Sequence, residues 1–158
     1  LTEIMKKIFI ALAVAIASLT ALSCEKYEDG RPARSVISEF NRMYPDAKDI
    51  EWEPERGYWK VSFETGRVPN RIEREAWYDA SGNWLRTETD FFLNSVPQDI
   101  MDFLKNSEYG ASVIERDDVE YVETPEGKYY RFEIRSGGMS VYVNVFADGT
   151  VTPGGIDW

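Results

Sequence analysis

The sequence predicts an α+β fold: two tandem repeats, each a helix followed by four antiparallel strands, with both helices packed on one face of a continuous sheet. Three observations predict it, namely two short amphipathic helical patterns, period-two alternation after each of them, and turn residues that recur at nearly one offset. The chain has 158 residues, 43% hydrophobic and 29% charged, which excludes a disordered tail and suits an ordinary globular core.

The first repeat is predicted over residues 32–94. Val36, Ile37, Phe40 and Tyr44 recur at helical spacing, and Pro45 ends that helix. The segments that follow alternate between apolar and polar residues and are separated by turn chemistry, so they are predicted to be strands. These strands cover residues 47–53, 58–64, 72–78 and 84–89.

The second repeat is predicted over residues 95–158 and follows the same order. Ile100, Phe103 and Leu104 mark its helix over residues 97–106. Its strands are predicted over residues 113–122, 128–135, 139–146 and 150–152. Pro97 lies 65 residues after Pro32, and the turn glycine Gly149 lies 67 residues after Gly82, which favours an internal duplication.

The first 24 residues are predicted to be a secretory signal. Lys6 and Lys7 precede an uncharged run over residues 8–22, which rises about 22 Å as a helix and falls short of a membrane span of about 30 Å. The residues Ala21-Leu22-Ser23-Cys24 resemble the bacterial lipobox, so Cys24 is the predicted lipidation site, with an unmodified small residue as the alternative. Residues 25–31 then form an acidic tether, either an export signal or a flexible spacer. The predicted location is the bacterial cell envelope, lipid-anchored, in the periplasm or on the outer-membrane surface.

Composition excludes several classes of function. The net charge of −10 repels phosphate backbones, so nucleic acid is not an expected partner. The sequence has no histidine and only one cysteine, which excludes Ser-His-Asp triads, Cys-His dyads, histidine- or cysteine-based metal sites and internal disulfides. No cofactor and no metal are predicted.

Two segments, YPDAKDIEW at residues 44–52 and EAWYDASGNWLRTE at residues 75–88, resemble the PepSY-like family of beta-lactamase-inhibitor-like envelope proteins. The likeness covers residues 32–158 as two copies, and the second copy departs from the first in having Asn144 where Trp77 stands. The resemblance implies a helix-plus-sheet repeat fold in exported, often lipid-anchored proteins. It also gives a precedent for binding through the sheet, since a better-known inhibitor of similar architecture binds an enzyme with its concave sheet face.

Period-two alternation sorts the strand residues onto two faces. One set is predicted to lie under the helices: Trp59, Val61, Phe63, Ile72, Ala76, Tyr78, Tyr130, Phe132, Ile134, Met139, Val141, Val143 and Val145; Trp52 is also predicted to be core. The opposite face mixes aromatic and charged side chains, a composition typical of protein interfaces. The predicted partner-binding residues are Tyr58, Lys60, Glu75, Trp77, Trp84, Arg86, Tyr129, Arg131 and Tyr142. The alternative is a solvated face of cross-strand pairs.

The sequence therefore predicts a non-enzymatic envelope lipoprotein that docks a protein or peptide partner on its open sheet face. Two other functions stay open. One is an envelope hydrolase that uses carboxylates such as Glu73 and Glu75, although a solvated face explains these residues better. The other is a calcium-dependent surface protein that uses the oxygen-rich loop at residues 79–83, although Asp148-Gly149 at the matching place favours plain hairpin turns.

Overall fold

The computed structural model describes residues 30–155. Helix α1 spans Arg34–Met43 and helix α2 spans Gln98–Asn106, with a short 3₁₀ helix at Leu93–Ser95 before α2. The strands are β1 Lys48–Glu55, β2 Tyr58–Arg67, β3 Asn70–Asp79, β4 Trp84–Phe92, β5 Val113–Ile114, β6 Asp118–Thr124, β7 Gly127–Ser136, β8 Met139–Phe146 and β9 Val151–Pro153. None of the helices within residues 30–155 is both long and apolar enough to cross a membrane.

All nine strands belong to one antiparallel sheet. Its order is β1-β2-β3-β4-β6-β7-β8-β9, and β5 pairs with β7. Strands β4 and β6 join the two halves of the chain through six residue pairs, from Thr87 opposite Glu123 to Phe92 opposite Asp118. The hairpins on either side of this junction therefore continue one sheet.

The predicted fold class, two repeats of a helix plus four strands, is wrong. The described chain is mostly one nine-stranded antiparallel sheet, with two helices of 10 and 9 residues. Five strands follow α2 but only four follow α1, because the expected strand at residues 113–122 is broken. The charged residues Glu115 to Asp117 interrupt it, so β5 pairs with Arg135 and Ile134 of β7 and β6 begins only at Asp118.

Two hydrophobic clusters lie under the helices. In the first, Phe40 of α1 packs edge-on against Phe63, with ring centroids 5.0 Å apart, together with Val61, Ala76 and Tyr78. In the second, Ile100 and Leu104 of α2 pack with side chains of the later strands, which are Val119, Phe132, Ile134, Val143 and Val145. Each helix thus buries the apolar stripe that its sequence pattern predicts.

Both clusters lie on the same side of the sheet. Cross-strand partners project from one face, so Thr87, the partner of Ala76, lies on the side of the first cluster. Phe91 lies four residues further along β4 and therefore on the same side, and its partner Val119 belongs to the second cluster.

Most of the predicted core is buried, including Trp59, Val61, Phe132 and Val143, and Trp52 packs against the first cluster as predicted. Two core predictions are wrong, since Ile72 is 40% exposed and Met139 is 68% exposed. Both residues lie near the hairpin ends of their strands, β3 and β8. Alternation gives the correct face there but does not show how far the helices extend over it.

The predicted signal segment and the lipidation site Cys24 lie outside the described residues, as does all of the tether except Gly30 and Arg31. The predicted boundaries at residues 24, 31 and 94 remain predictions.

Candidate functional site

The side of the sheet opposite the two helices is called the open face here. Pairing between strands sets its rows of side chains: Trp77 stands between Lys60 on β2 and Arg86 on β4. Further along the sheet, Arg131 stands between Glu120 on β6 and Asn144 on β8. The local cause is the alternation within each strand, because residues two apart return to the same face.

One end of the open face contains a cavity of about 420 Å³ that we call the aromatic groove. It lies at the ends of the strands that carry the β1–β2 and β6–β7 turns. Its lining is largely aromatic and cationic: Glu55, Arg56, Tyr58, Trp77, Leu85, Arg86, Thr124, Tyr129, Arg131, Asn144 and Gly155. Three arginines and one carboxylate make this lining cationic in a chain of net charge −10.

Trp77 forms the floor of the aromatic groove. The Arg86 guanidinium lies over the indole ring, 4.1 Å from its centroid, which is cation–π geometry. The indole N–H donates a hydrogen bond to Glu55 Oε2 at 3.0 Å. Only 8% of Trp77 is exposed, although neither helix within residues 30–155 covers this face; Arg86 and Glu55 are among the side chains that pack on it. The ring is therefore held rigidly in place.

Arg131 anchors the other wall of the aromatic groove and is buried, with 7% of the residue exposed. Its Nη1 lies 3.4 Å from Glu120 Oε2 and 3.7 Å from Glu88 Oε1, and its Nη2 donates to the Tyr129 hydroxyl at 3.1 Å. Burying a guanidinium requires such partners, because desolvation opposes the charged form. The carboxylates thus fix the position of this arginine.

The opposite end of the open face carries a second cavity, of about 500 Å³, that we call the acidic trough. Its lining contains eight carboxylates and two arginines, together with Ser62 and Phe63: Asp49, Glu51, Ser62, Phe63, Glu64, Glu73, Arg74, Glu75, Glu88, Asp90, Arg116 and Glu120. Burial, and secondarily the carboxylate of Asp118, raise the pKa of Asp90. The trough is therefore a region of concentrated negative charge.

Five of the nine predicted partner-binding residues line the aromatic groove: Tyr58, Trp77, Arg86, Tyr129 and Arg131. Glu75 instead lines the acidic trough. Lys60 is held between two carboxylates, 3.1 Å from Glu53 and 3.2 Å from Glu75. Tyr142 shares the open face as the partner of Glu133 but lines neither cavity. Whether any of the nine binds a partner remains a prediction.

The prediction that Trp84 lies on the open face is wrong. The pairing of β3 with β4 slips between Trp77 and Tyr78, so Tyr78 pairs with Trp84 while Trp77 pairs with Arg86. This bulge places an extra residue, Leu85, in β4 and turns Trp84 toward the first cluster, where its indole N–H donates to Thr87 Oγ1 at 2.9 Å. Simple alternation from Trp84 gave the wrong face.

Sequence reasoning also missed several open-face residues. Val122 is fully buried although it faces away from both helix clusters, and Glu55 and Asn144 line the aromatic groove. The trough as a whole was missed as well. Carboxylates two residues apart, such as Glu73 and Glu75, are visible in the sequence. Only the register of the strands shows which residues of the neighbouring strands lie opposite them.

The loop at Asp79 forms a hairpin turn. Asp79 Oδ1 accepts hydrogen bonds from the backbone N–H groups of Ser81 and Asn83, both at 2.9 Å, and Oδ2 accepts one from Asn83 Nδ2 at 2.7 Å. Asp148 likewise accepts from the backbone N–H of Thr150 at 2.8 Å. In the part of the chain that the structure describes, no three carboxylates or other ligand side chains are grouped to hold a metal ion.

Comparison with known proteins gives the family. A family model described as "Putative beta-lactamase-inhibitor-like, PepSY-like" matches residues 57–147, which is more than half of the chain. The chain belongs to the PepSY-like family. The resemblance to this family is thereby confirmed, and the match includes most of the residues that line the aromatic groove and the acidic trough. No curated protein matches the chain.

Solved structures share the fold. A BLIP-like protein from Bacteroides fragilis is 25% identical, with a TM-score of 0.60 over 81% of this chain and 92% of its own. A protein from Bacteroides eggerthii described as putative periplasmic is 22% identical, with a TM-score of 0.60 over 77% and 86%. A DUF2874 family protein from Bacteroides ovatus is 21% identical, with a TM-score of 0.62 over 78% and 88%. The last two comparisons show the fold alone.

Proposed function

We propose that this PepSY-like protein is a non-enzymatic binding module that docks a protein or peptide partner on its open face. The observation that supports this most strongly is the aromatic groove, where Trp77, Tyr58 and Tyr129 stand beside Arg86 and Arg131. Tryptophan, tyrosine and arginine dominate the energetics of protein interfaces, since they bury large areas while retaining directional polar groups. Their rigid packing further lowers the entropic cost of binding.

The groove offers both fixed and accessible contact groups. Trp77 is already packed, whereas Tyr58 is 47% exposed at the rim. Tyr129 packs against Phe146 with ring centroids 5.2 Å apart, which braces its ring. A partner side chain entering this cavity of about 420 Å³ would therefore meet preorganised walls and an exposed aromatic edge.

Affinity capture from envelope extracts tests this proposal. The pair of substitutions Arg56→Ser and Tyr58→Ser alters two exposed groove residues, and the matched pair Arg42→Ser and Phe92→Ser alters an exposed arginine and an exposed aromatic outside the groove. We expect the wild type and the control pair to retain the same partner and the groove pair to lose it. Equal retention by both pairs would contradict docking at the groove.

We also propose that the carboxylates of the open face do not perform catalysis. The contacts of the Glu75 carboxylate support this, because its Oε1 lies 3.2 Å from Lys60 Nζ and accepts a hydrogen bond from the Ser62 hydroxyl at 3.2 Å, so the group is engaged within the sheet. The inhibitor-like description of the family also points away from an enzyme. Screening on glycans and peptides tests it, and turnover that disappears in Glu75→Gln would overturn it.

Finally, we propose that the protein is exported and lipid-anchored through Cys24. The basic stub, the apolar run and the lipobox-like segment support this, as does the periplasmic description of the Bacteroides eggerthii relative. We expect metabolic labelling with a fatty acid to mark the wild type and to leave Cys24→Ala unlabelled. Equal labelling of both proteins would rule out this cysteine as the attachment point.

A further inference from the structure

The open face is divided by charge along the strand direction. On β4, Arg86 lines the aromatic groove and Asp90 lines the acidic trough. On β3, Trp77 and Glu73 are divided in the same way. Each pair is four residues apart, which is about 13 Å along a strand. Glu88 marks the boundary, since it lines the trough while its Oε1 lies 2.9 Å from Arg86 Nε.

Carboxylates lie opposite one another in the acidic trough, and this pairing destabilises the fold when no ligand is bound. Like charges placed directly opposite on neighbouring strands are destabilising. The sheet nevertheless pairs three sets of carboxylate residues on this face: Glu64 with Glu73, Glu75 with Glu88, and Asp90 with Glu120. Five cations offset part of this repulsion, and a cationic ligand would offset more; they are Lys60, Arg71, Arg86, Arg116 and Arg131.

The aromatic groove favours a ligand group of negative charge, whereas the acidic trough favours a positive one. Arg56, Arg86 and Arg131 line the groove, and its one carboxylate, Glu55, accepts the hydrogen bond from Trp77. Glu88 and Glu120 compensate the charges of Arg86 and Arg131, so the exposed Arg56 is the arginine most accessible to a ligand. Guanidinium groups beside aromatic rings suit a carboxylate next to an aromatic or aliphatic side chain. The two ends of the open face therefore select for opposite charges.

We propose that the occupant of the open face is an extended segment of a protein partner with divided charge. Lysine or arginine side chains of the segment lie in the acidic trough, and an aspartate or glutamate next to an aromatic residue lies in the aromatic groove. The separation of about 13 Å corresponds to about four residues of an extended chain, which sets the spacing between the two charge types. This inference rests on the proposed docking function and specifies the chemistry of the partner.

Selection from a displayed library of random peptides tests the proposal, using the full chain purified in detergent. We expect the enriched peptides to carry a basic cluster and, about four residues away, an acidic residue beside an aromatic one. Enrichment of peptides with charge of one sign only, or no enrichment over the uncoated support, would overturn the proposal.

Fluorescence anisotropy with the most enriched peptide then locates the binding site. Glu73→Gln with Asp90→Asn neutralises two trough carboxylates, and Asp102→Asn with Glu108→Gln neutralises two exposed carboxylates on the helical side. We expect the trough pair to weaken binding about fivefold or more, and the control pair to change it less than about twofold. Raising the salt concentration should reduce this difference. Equal affinity for both pairs would overturn the proposal.

The docking proposal and the divided-charge proposal fail in different ways. If an envelope partner is lost by the groove pair, Arg56→Ser with Tyr58→Ser, but retained by the trough pair, docking stands and divided charge is wrong. If the groove pair retains every partner, the docking proposal itself fails.

Discussion

At the scale of single residues, the open face is held in place by charge-assisted contacts. Trp77 is fixed from above by the Arg86 guanidinium and at its edge by Glu55 Oε2. Arg131 is fixed by Glu120, Glu88 and the hydroxyl of Tyr129. These side chains cover part of the open face, as the helices cover the other face. The residues that stabilise this face are therefore also the residues proposed to contact a partner.

The contact between Trp77 and Glu55 should be measurable as a coupling energy. We expect Trp77→Phe and Glu55→Ala each to lower the free energy of unfolding, with a coupling of about 1 kcal/mol in the double-mutant cycle. Phenylalanine keeps most of the ring but removes the N–H donor. Denaturant unfolding of the four proteins measures the coupling, and strictly additive effects would show that the 3.0 Å hydrogen bond contributes no stability.

Asp90 should make the protein less stable at neutral pH. Because its pKa is raised in the folded state, the folded protein holds this proton more tightly than the unfolded chain does. Stability therefore falls as pH rises from below the unfolded value near 3.8 through the raised folded value. We expect Asp90→Asn to raise the melting temperature at about pH 7, by an amount corresponding to no more than about 1 kcal/mol because solvent screens this exposed carboxylate, and to have almost no effect at about pH 3.

The control for that experiment is Glu108→Gln, an exposed carboxylate in the turn after α2. Its melting temperature should change little at either pH. A gain for Asp90→Asn that is as large at pH 3 as at pH 7 would show that its cause is not the charge.

At the scale of elements, turns and bulges decide where the side chains lie. The bulge in β4 turns Trp84 to the helical side, where it joins Thr87, whose Oγ1 lies 2.6 Å from the Tyr44 hydroxyl. The turn between β3 and β4 also contacts the start of α1. A Cβ at Gly82 would lie 2.9 Å from the carbonyl carbon of Ser35, so glycine is needed there for close approach as well as for its φ of +96°.

Gly82 and Gly57 form a matched pair that separates these two requirements. Gly57 has a similar φ of +93°, but a Cβ there would have open space. We expect Gly57→Ala to cost about 1 kcal/mol of backbone strain and Gly82→Ala to cost distinctly more, because α1 must also shift. Chemical denaturation of both variants gives the comparison. Equal losses would mean that the contact between α1 and the turn is easily relaxed.

At the scale of the whole molecule, one sheet connects two hydrophobic clusters that are far apart in sequence. Phe40 and Phe132 lie in different clusters, yet six residue pairs between β4 and β6 join the strands that support them. Loss of one cluster should therefore reduce the stability of the other half. The described residues should unfold as a single cooperative unit.

Phe132→Ala tests this cooperativity. It should remove about 3–5 kcal/mol from the free energy of unfolding. Trp52, Trp59 and Trp84 lie in or against the first cluster, so much of the tryptophan fluorescence reports on the half that the substitution does not touch. We expect fluorescence and far-UV circular dichroism to show one coincident, shifted transition. Two separate transitions would mean that the halves unfold independently.

The family, both helices and much of the core could be predicted from the sequence. The stripe of Val36 and Phe40 and the alternation of Trp59, Val61 and Phe63 are local patterns, and helix and strand geometry turn them directly into faces. The same alternation placed Tyr58, Trp77, Arg86, Tyr129 and Arg131 together, and these five residues line the aromatic groove.

The tertiary structure alone decided the rest, because pairing between strands depends on contacts between residues distant in sequence. It broke the expected strand at residues 113–122 into β5 and β6 and so removed the equivalence of the two halves. It also slipped the register at Leu85, moving Trp84 to the helical side. Above all, it placed Glu64 opposite Glu73 and Glu75 opposite Glu88, which concentrates carboxylates from separate strands into one acidic trough.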